Sequence, residues 1–457
     1  MNFIRGESDM TGMQMSGKQA KRNIVVCKFG GSSVADADHV KKVRAILEAD
    51  SRRSIVVVSA PGRRSKDDDK VTDLLYACNK LVQDGKSCKE LFKKISSRYT
   101  DILTGLGMKA DFLKPVLDEV RRCIDAGHGT DYAASRGEYL SARLVAEYLG
   151  WTFLDTADVV VINHDGTVHP ATWQKLSESL DPKGKYVIPG FYGATADGVV
   201  KTFSRGGSDI TGAIMARAVG ADLYENWTDV SGVFMADPRL IPEAKVVQTM
   251  TYKEVRELAE VGAGVFHEEA IAPVMDAGIP INVKNTNDPS APGTMIVPSR
   301  DCADIPLVGV SSRNGYSSIS LHKMMLFKRT GIRHALLTML HVFGIRPEFS
   351  LVGIDSIVWF YDSKQASESV LEAMKTRLKD EFELDSITVS SGYAVVGVVG
   401  EGIMGMSDML SKATSALSRQ NISLEFLNYG ASDTSCLFGV RSGAKDETVR
   451  ALYEALA

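Results

Sequence analysis

The stretch from Ile24 to Ser33, IVVCKFGGSS, joins a run of apolar residues to a pair of glycines. A helix-length amphipathic segment follows it, and the runs SIVVVSA and KVTDLLYACNKLV then repeat the same order of strand and helix patterns. This alternation continues to about Lys284. It predicts an α/β fold in which helices pack on a largely parallel sheet.

The composition of the chain excludes several classes of protein. The chain has 457 residues, of which 44% are hydrophobic, and this length is enough for roughly three domains. The net charge of -4 provides no overall basic field that would attract nucleic acid. The six cysteines form no CxxC pair, which is typical of reduced thiols in a cytoplasmic protein and indicates neither disulfides nor a cysteine-based zinc site. No run approaches the roughly 18 apolar residues of a membrane-spanning helix.

Local composition divides the chain into segments. Residues 1–22 have no continuous apolar core like that of a signal peptide, and we expect a mobile tail there. Residues 84–130 are polar, with helical patterns and no strand signals, which predicts a helical insertion over the surface, with a lid as one interpretation. Residues 289–307 are rich in proline and show no periodicity, so we place a linker there. The main domain would then span residues 23–288.

A repeat fills the region after the linker, residues 308–457. The segments GIRHALLTMLHVFGIRPEF and GMSDMLSKATSALSRQNISLEF each contain a glycine, an amphipathic helix pattern and a strand that begins Ile-x-x-Glu-Phe. Glu348 and Glu425 are the corresponding glutamates of the two copies. Two copies of so small a unit predict an α+β regulatory or dimerising region rather than a solenoid.

Several glycine-rich or polar loops follow the strand patterns. In KFGGSS, Gly30 and Gly31 let backbone amides approach a phosphate closely, and Lys28 adds a positive charge. Ser59 lies at the end of the strand pattern in VVSAPG, and GFYG follows another strand. Because ligands bind outside the carboxyl ends of an open parallel sheet, we expect these loops to face one crevice. A plain turn between strand and helix explains any one of the loops equally well.

The motif SRGGSD carries the most information of these loops. Arg205 can grip a carboxylate, and Asp209 could hold a metal ion or position Lys28, although a helix N-cap is the simpler role for Asp209. Thr228 and Asp229 follow another strand pattern and would suit an adenine or ribose pocket, as they would an ordinary turn. The RGE sequence at 136–138 lies in a predicted helix and, by itself, indicates a solvated charge pair.

Two motifs match known patterns only in part. DGKSC has Lys80 where a P-loop requires glycine, so we discard it. GEGIMG, residues 400–405, matches GxGxxG and precedes a helix pattern, but too few residues remain after Glu425 to complete a dinucleotide-binding domain. We interpret it as a glycine-rich turn that receives a small amino acid.

From about Asn23 to its end, the chain resembles the aspartokinases, which are amino acid kinases with tandem ACT domains at the C-terminus. The motifs KFGGSS, VVSAPG, RGE, GFYG, SRGGSD and WTDVSGVFMADPR occur in the family's order. The resemblance implies the amino acid kinase fold, an α/β three-layer sandwich with a mostly parallel sheet, followed by two α+β ferredoxin-like ACT domains at 308–457. It also implies a homodimer or a higher homo-oligomer formed through these domains.

The resemblance assigns roles to individual residues. Lys28 would contact the transferred phosphoryl group, and Asp209 would position Lys28. The glycine loop would comprise Gly30, Gly31 and Ser32. The residues implied to bind aspartate are Ser59, Thr72, Glu138 and Arg205. Those implied to bind the nucleotide are Thr228, Asp229, Phe234 and Arg239, and those implied to bind a regulator are Gly331, Ile332, Glu348 and Asp355. Neither a resident metal nor a tightly bound cofactor is implied.

The implied reaction is phosphorylation of the side-chain carboxylate of L-aspartate by ATP with Mg²⁺, the first step of lysine, threonine and methionine biosynthesis. The implied effector is L-lysine, with L-threonine as the alternative, because Glu348 can pair with a cationic side chain. Two other interpretations stay open: a kinase with another acceptor, and a catalytically weak or inactive amino-acid sensor. The sensor is favoured by Gly264, which stands with Glu268 in GAGVFHEEA where many aspartokinases read GAKVLHP.

Overall fold

The structure, a computed structural model, describes residues 23–181, 183–204, 206–264 and 268–457. The predicted mobile tail, residues 1–22, lies outside the described residues, as does Arg205. Two large sheets, of eight and six strands, and one two-stranded sheet organise the described chain. A mostly parallel sheet forms the first part, and an antiparallel sheet forms the second.

The central strands of the first sheet are apolar on both faces. In β1 (Val25–Phe29) and β2 (Arg53–Val58), Val26 and Val57 enter one hydrophobic cluster, whereas Cys27 and Val56 enter another on the opposite face. A strand that is covered on both faces needs such a continuous apolar run. The other strands of this part are β3 (Thr152–Phe153), β4 (Tyr186–Pro189), β5 (Tyr192–Ala194), β6 (Val200–Thr202), β7 (Leu223–Thr228), β8 (Thr249–Thr251), β9 (Ile281–Asn285) and β10 (Thr294–Val297).

Helices cover both faces of this sheet, whose strand order is β3-β4-β2-β1-β7-β9-β10-β8. Neighbouring strands run parallel except for β9 and β10, and β5 pairs with β6 as a separate hairpin. The helices on the Cys27 face are α1 (Ala37–Glu48), α2 (Val71–Gln83), α3 (Lys89–Gly105), α4 (Lys114–Asp125) and α5 (Thr130–Leu149). Those on the Val26 face are α6 (Thr156–Val159), α7 (Ala171–Ser179), α8 (Gly207–Val219), α9 (Tyr252–Glu260) and α10 (Glu268–Asp276). The predicted three-layer arrangement is confirmed.

The segment 84–130 is helical, as predicted, but it does not lie over the surface. Phe92, Ile95, Tyr99 and Leu103 of α3 are buried in the same hydrophobic cluster as β1 and β2. Their spacing of three and four residues is that of a helix face packed on a core. The interpretation as a surface insertion was therefore wrong, because this apolar face is hidden among the many charged residues of the segment.

The second sheet contains both copies of the repeat. Its strands are β11 (Gly309–His322), β12 (Phe349–Val352), β13 (Ser356–Asp362), β14 (Ser386–Val399), β15 (Phe426–Asn428) and β16 (Ser435–Arg441), in the order β12-β13-β11-β14-β16-β15. Its helices are α11 (Ile332–Val342), α12 (Glu368–Phe382), α13 (Met409–Arg419) and α14 (Lys445–Leu456). The Glu348 amide donates to Phe360 O and the Glu425 amide donates to Gly439 O, so the two glutamates occupy equivalent positions. This equivalence confirms the repeat.

The two copies share their longest strands. In β11, residues before a register shift at Asn314–Tyr316 pair with Ala394–Val399 of β14, and residues after it pair with the first half of β14. The second half of β14 also pairs with β16, whereas the second half of β11 pairs with β13. Each copy therefore uses part of the same two strands, and the two copies are not structurally independent units.

Part of the predicted linker belongs to the first sheet. The apolar run Thr294–Val297 forms β10, which pairs with β8 and β9. Thr294 and Ile296 are buried, whereas the alternate residues are partly exposed, as expected of a short strand. The prolines around this run concealed the strand pattern, so the predicted linker at 289–307 began too early.

Glu254 joins the first part of the chain to the second. This fully buried carboxylate, in the first turn of α9, accepts hydrogen bonds from the Arg300 guanidinium at 2.5–3.2 Å. It also accepts from the amides of Thr251 and Glu401, each at 2.8 Å. Helix α9, the segment before β11 and the turn after β14 thus meet at one side chain.

The glycines of GEGIMG serve this same junction. The Gly402 amide donates to Pro306 O at 3.1 Å. A Cβ at Gly400 would collide with Pro306 O, and one at Gly402 would lie 2.5 Å from Pro306 Cα. The space that these glycines open is therefore occupied by the chain itself, and our interpretation of the turn as a receptor for a small amino acid was wrong.

Among the helices in the described ranges, none combines the length and apolar character needed to cross a membrane.

Replacing Glu254 with glutamine tests the junction. The variant Glu254→Gln leaves the Arg300 cation, whose side chain is 6% exposed, without its anionic partner. We expect the free energy of unfolding in urea to fall by about 3–5 kcal/mol, the usual cost of breaking a buried ion pair from one side. Asp408→Asn breaks the exposed pair with Lys412 and should change stability little. Equal stability of the two variants would contradict the assigned role of Glu254.

Candidate active site

Two side chains hold Lys28 at the carboxyl end of the parallel sheet. Lys28 of β1 is paired in register with Asn226 of β7, its neighbouring strand. The Lys28 Nζ lies 2.7 Å from Asp209 Oδ1 and 3.5 Å from Asn226 Oδ1. The Asn226 side-chain amide also donates to Asp209 Oδ1 at 2.7 Å, so each residue of this lysine cluster (Lys28, Asp209 and Asn226) contacts the other two. Asp209 thus lies close enough to position Lys28, and this role stays a prediction.

Asn226 is a residue that sequence reasoning missed. It lies in the strand LYENWT, where alternation places it on the same face as Thr228, a predicted nucleotide residue. That alternation was the available signal. What it did not reveal is the pairing of β7 with β1, which brings Asn226 beside Lys28 although 198 residues separate them.

Two glycines let the glycine loop (Gly30, Gly31 and Ser32), named the phosphate loop after the role that the resemblance implies, contact the loop after β2 backbone to backbone. The Gly62 amide donates to Gly31 O at 2.8 Å. A Cβ at Gly31 would lie 2.9 Å from Ala60 O, and one at Gly62 would lie 2.8 Å from the Gly31 carbonyl carbon, so neither position tolerates a side chain. A Cβ at Gly30 would lie 3.6 Å from Lys28 Nζ, and its absence keeps the approach to the ammonium group open. Ser32 follows in the 3-10 turn Gly31–Val34.

Arg98 holds these two loops together through hydrogen bonds to their backbones. This buried side chain of α3 donates to Ala35 O at 3.2 Å and to Gly62 O at 3.1 Å. It also donates to Asp69 O at 3.1 Å and forms an ion pair with Asp68. Arg98 therefore ties the end of the phosphate loop to the segment between β2 and α2. Sequence reasoning missed it, although an arginine at helical spacing between Ile95 and Ile102 was a signal of a buried role.

A small cavity of about 210 Å³ lies beside the lysine cluster. It brings together three of the four residues predicted to bind aspartate, and the fourth, Arg205, lies outside the described residues. The cavity is lined by Lys28, Ser59, Thr72, Glu138, Phe191, Gly206, Gly207, Ser208 and Asp209. Hydroxyl groups, an ammonium group and two carboxylates thus converge on a space suited to a small zwitterionic ligand.

Glu138 is the least satisfied polar group of this cavity. It lies in α5 and is 5% exposed, and its Oε2 meets no hydrogen-bond donor within the described part of the chain. Burial raises the pKa of Glu138 to about 8, although hydrogen bonds from the amides of Ala60 and of Glu138 itself act in the opposite direction. A buried oxygen without a donor indicates that the donor comes from a ligand, and a cationic donor suits it best.

Its neighbour Arg136 is also buried, so the interpretation of RGE as a solvated charge pair was wrong. The guanidinium lies 4.6 Å from the ring centroids of both Tyr132 and Tyr139 and 5.0 Å from that of Tyr192. Stacking on aromatic rings stabilises a buried guanidinium without a carboxylate partner. Tyr132 and Tyr139 lie on different turns of α5, and Tyr192 lies in β5. The local sequence therefore did not reveal the arrangement.

A larger cavity of about 1020 Å³ lies on the other side of the lysine cluster. Thr228, Phe234 and Arg239, three of the four predicted nucleotide residues, line it, together with Lys28, Asp209 and Asn226. Asp229 is not part of its lining, and its carboxylate instead accepts a hydrogen bond from the Thr228 hydroxyl at 3.2 Å. The two cavities therefore share Lys28 and Asp209, and a group held in one can reach a group held in the other at the lysine cluster.

Arg239 and Gly264 also line the larger cavity. The Arg239 side chain is 90% exposed and forks onto Asp237, with N–O distances of 2.6–3.1 Å. Gly264 lines the cavity, and a Cβ at this position would meet nothing within 4 Å. At Gly264 the first part of the chain therefore contributes open space rather than a side chain. The Glu268 side chain lies outside the described atoms.

The four residues predicted to bind a regulator fall into two places. Glu348, just before β12, accepts a hydrogen bond from the Tyr316 hydroxyl at 2.6 Å and pairs with Arg313 at 3.2 Å. Asp355 lies beyond the other end of β12 and accepts from the Met325 amide at 2.7 Å. Gly331 and Ile332 begin α11, close in sequence to Met325. The structure thus separates Glu348 from Asp355 by the length of a strand.

The fold is that of the amino acid kinases, a class of phosphotransferases. Residues 23–285 match the amino acid kinase family, and residues 396–456 match the ACT domain. Aspartokinase 3 of Bacillus subtilis is 35% identical over 443 residues, which cover 94% of this chain and 98% of that protein. The chain therefore belongs to the amino acid kinase family and, within it, to the aspartokinases.

Solved structures agree with this assignment. The aspartate kinase of Clostridium acetobutylicum, described as an allosteric enzyme, is 39% identical with a TM-score of 0.88, covering 95% of this chain and 100% of that one. Aspartokinase III of E. coli in complex with aspartate and ADP (R-state) is 25% identical with a TM-score of 0.77, covering 95% of this chain and 99% of that one. The same enzyme in complex with lysine and aspartate (T-state) gives a TM-score of 0.74 at 25% identity, covering 95% and 100%.

The protonation of Glu138 in the ligand-free protein can be tested through stability. The folded chain holds this proton up to about pH 8, whereas an unfolded glutamate releases it near pH 4.5. The wild-type protein therefore loses stability from this group as the pH rises between these two values. The side chain of Glu138→Gln has no such proton, so we expect its melting temperature to rise relative to wild type from pH 5 to pH 8, with a constant difference above pH 8.

Glu147→Gln, an exposed position in the same helix, provides the control. Its melting temperature should follow that of wild type at every pH. Parallel curves for Glu138→Gln and wild type would show that Glu138 is already ionised in the ligand-free protein.

Proposed function

We propose that this aspartokinase transfers the γ-phosphoryl group of ATP to the side-chain carboxylate of L-aspartate at the lysine cluster. Aspartate occupies the small cavity and the nucleotide the large one, and the products are 4-phospho-L-aspartate and ADP. The observation that carries the proposal is that Lys28 and Asp209 belong to the walls of both cavities. The assembled lysine cluster argues against the alternative of an inactive sensor.

The reaction needs positioning and neutralisation of charge rather than a general base. The side-chain carboxylate of aspartate has a pKa near 3.9 and is ionised at neutral pH. One of its oxygens attacks the γ-phosphorus, and the bond between that phosphorus and the bridging oxygen of ADP breaks. Lys28 then faces the phosphoryl oxygens, where negative charge is concentrated during transfer. Asp209 and Asn226 keep the ammonium group directed at this point, and the amides of Gly31 and Ser32 add further donors, whereas the Gly30 amide already donates to Trp227 O.

The small cavity supplies a partner for each charged group of aspartate. Ionised Glu138 pairs with the α-ammonium group, which provides the donor that its Oε2 lacks among the described residues. The hydroxyl groups of Ser59 and Thr72 can donate to a carboxylate. Arg205, on the resemblance to the family, holds the α-carboxylate. Aspartate thus enters with its side chain free to reach the lysine cluster.

Mg²⁺ would arrive with the nucleotide rather than reside in the protein. In the described residues, no group of three or more His, Cys, Asp or Glu side chains is arranged to hold a metal ion. Mg²⁺ bound to ATP needs only one or two protein carboxylates because phosphate oxygens and waters complete its shell. Asp209, which lines both cavities, fits that requirement. The ion would neutralise phosphate charge, while Lys28 remains held by the chain.

Lys28→Ala tests the central assignment. Since the ammonium group matters most when charge accumulates during transfer, we expect turnover to fall by about 10²-fold or more while the aspartate KM changes little. ADP release coupled to a spectrophotometric assay measures both. Asn226→Ala should give a smaller loss, because Asp209 still holds the lysine.

Lys41→Ala, which removes an exposed lysine of α1, is the matched control and should retain wild-type kinetics. An unchanged turnover with a raised aspartate KM in Lys28→Ala would assign Lys28 to substrate binding instead.

We also propose L-lysine as the effector, with Glu348 as the residue that receives its ammonium group. Supporting this, the E. coli relative has been solved with lysine, in a state distinct from that with ADP. Glu348 is already paired with Arg313, which also lies 3.8 Å from Glu260 at the end of α9. Lysine would compete with Arg313 for Glu348 and so alter a contact with the catalytic part. A homodimer formed through the ACT domains stays a prediction.

The repeat supplies a matched pair of variants for this proposal. We expect Glu348→Ala to raise the lysine concentration for half-inhibition by about tenfold or more, since a charge-assisted contact is lost. Glu425→Ala removes the equivalent glutamate, which pairs with Arg441, and should leave inhibition unchanged. Rates with and without lysine measure the effect. Inhibition by threonine but not by lysine in the wild-type enzyme would overturn the effector while keeping the regulatory role.

A further inference from the structure

The larger cavity has a wall that the catalytic part of the chain does not supply. Ser311 and Ser312 of β11 and Lys445 and Val449 of α14 line it, together with residues of the segment that contains Gly264. These residues belong to the C-terminal region, which contains the matched ACT domain. The space proposed for the nucleotide is therefore enclosed between the two parts of the chain.

The contacts around this wall are close and mostly backbone to backbone. The Val310 amide donates to Met235 O at 2.7 Å. Gly262 has a φ of 100°, and a Cβ there would lie 2.5 Å from Ser312 O, so the two backbones touch. The wall thus lies in direct contact with the catalytic part.

Helix α14 also packs directly on the segment that contains two predicted nucleotide residues, Phe234 and Arg239. Ala236 and Ile241 share a hydrophobic cluster with Leu452 and Tyr453 of α14. The Tyr453 hydroxyl accepts a hydrogen bond from the Lys245 amide at 3.2 Å. The helix therefore supports this segment as well as enclosing the cavity.

Lys445 is the cation of this wall. Its side chain is 25% exposed, its Nζ lies 3.4 Å from Ser312 Oγ, and it forms an ion pair with Asp446. Among the described residues that line the cavity, the cations are Lys28, Arg239 and Lys445. The Arg239 side chain is 90% exposed and forks onto Asp237, whereas the Lys445 side chain is 25% exposed, and Gly264 offers no side chain. A polyanion that extends from Lys28 to the wall formed by β11 and α14 therefore meets Lys445, and a lysine binds phosphate as a point charge.

We propose that Lys445 binds the polyphosphate of the nucleotide, so that the nucleotide site of this enzyme is shared between the catalytic part and the C-terminal region. The inference rests on the proposed function, because it takes the larger cavity as the nucleotide site. Binding of nucleotide then holds α14 against the catalytic part. By linkage, anything that moves α14 away weakens nucleotide binding by the same factor as nucleotide opposes the movement.

Calorimetric titration of the full chain with ADP and Mg²⁺ tests the proposal. We expect Lys445→Ala to raise the ADP Kd by about tenfold, because it removes a charge-assisted contact, and Lys445→Arg to restore most of the affinity. Adenosine, which has no phosphate, should bind wild type and Lys445→Ala equally, and the aspartate KM should not change.

Lys412→Ala is the matched control, since it removes an exposed lysine of the same region that pairs with Asp408 on α13. An ADP Kd within twofold of wild type in Lys445→Ala would overturn the shared site. In that case ADP binding by the wild type, and its loss in variants of Thr228, would leave the proposed function intact. Failure of the wild type to bind ADP would overturn the proposed function itself.

Discussion

The charge of Lys28 imposes the constraint on which the site depends. An ammonium group that is almost removed from water is costly unless anionic and polar partners surround it. Asp209 meets this need from the first turn of α8, and Asn226 meets it from the adjacent strand. The arrangement therefore requires that β1 and β7 pair in one register and that α8 begin at one point. A shift of one residue in either strand would turn Lys28 or Asn226 to the opposite face.

Backbone contacts extend this constraint to the two loops that follow β1 and β2. The phosphate loop follows β1 directly, and Gly31 and Gly62 let it contact the loop after β2. Arg98 then secures both from α3, a helix of the segment first interpreted as a surface insertion. The helices at 84–130 thus position the site although they line neither of the two cavities.

The sequence predicted those features that depend on neighbouring residues and missed those that depend on packing. Strands, helices, the glycine loop and the roles of Lys28 and Asp209 follow from local patterns or from family motifs. Asn226, Arg98 and the burial of Arg136 depend on which elements pack together, and no spacing along the chain encodes that. The strand β10 was concealed by its flanking prolines, and the GxGxxG-like turn was misread because Gly400 and Gly402 face the chain itself rather than a ligand.

The sharing of β11 and β14 by both copies of the repeat has a consequence for synthesis of the protein. Strand β11 leaves the ribosome before β14 and β16, so its sheet cannot be completed until those strands have been made. The first half of β11 is also covered by α14, which follows them in the chain. Such long-range pairing is slow, and it leaves strand edges open while the chain grows. The catalytic sheet, by contrast, is complete once β10 has emerged. During each round of translation, a nascent chain therefore passes through a stage in which a finished catalytic sheet carries an unfinished β-region, and this stage is where chaperones or aggregation would act.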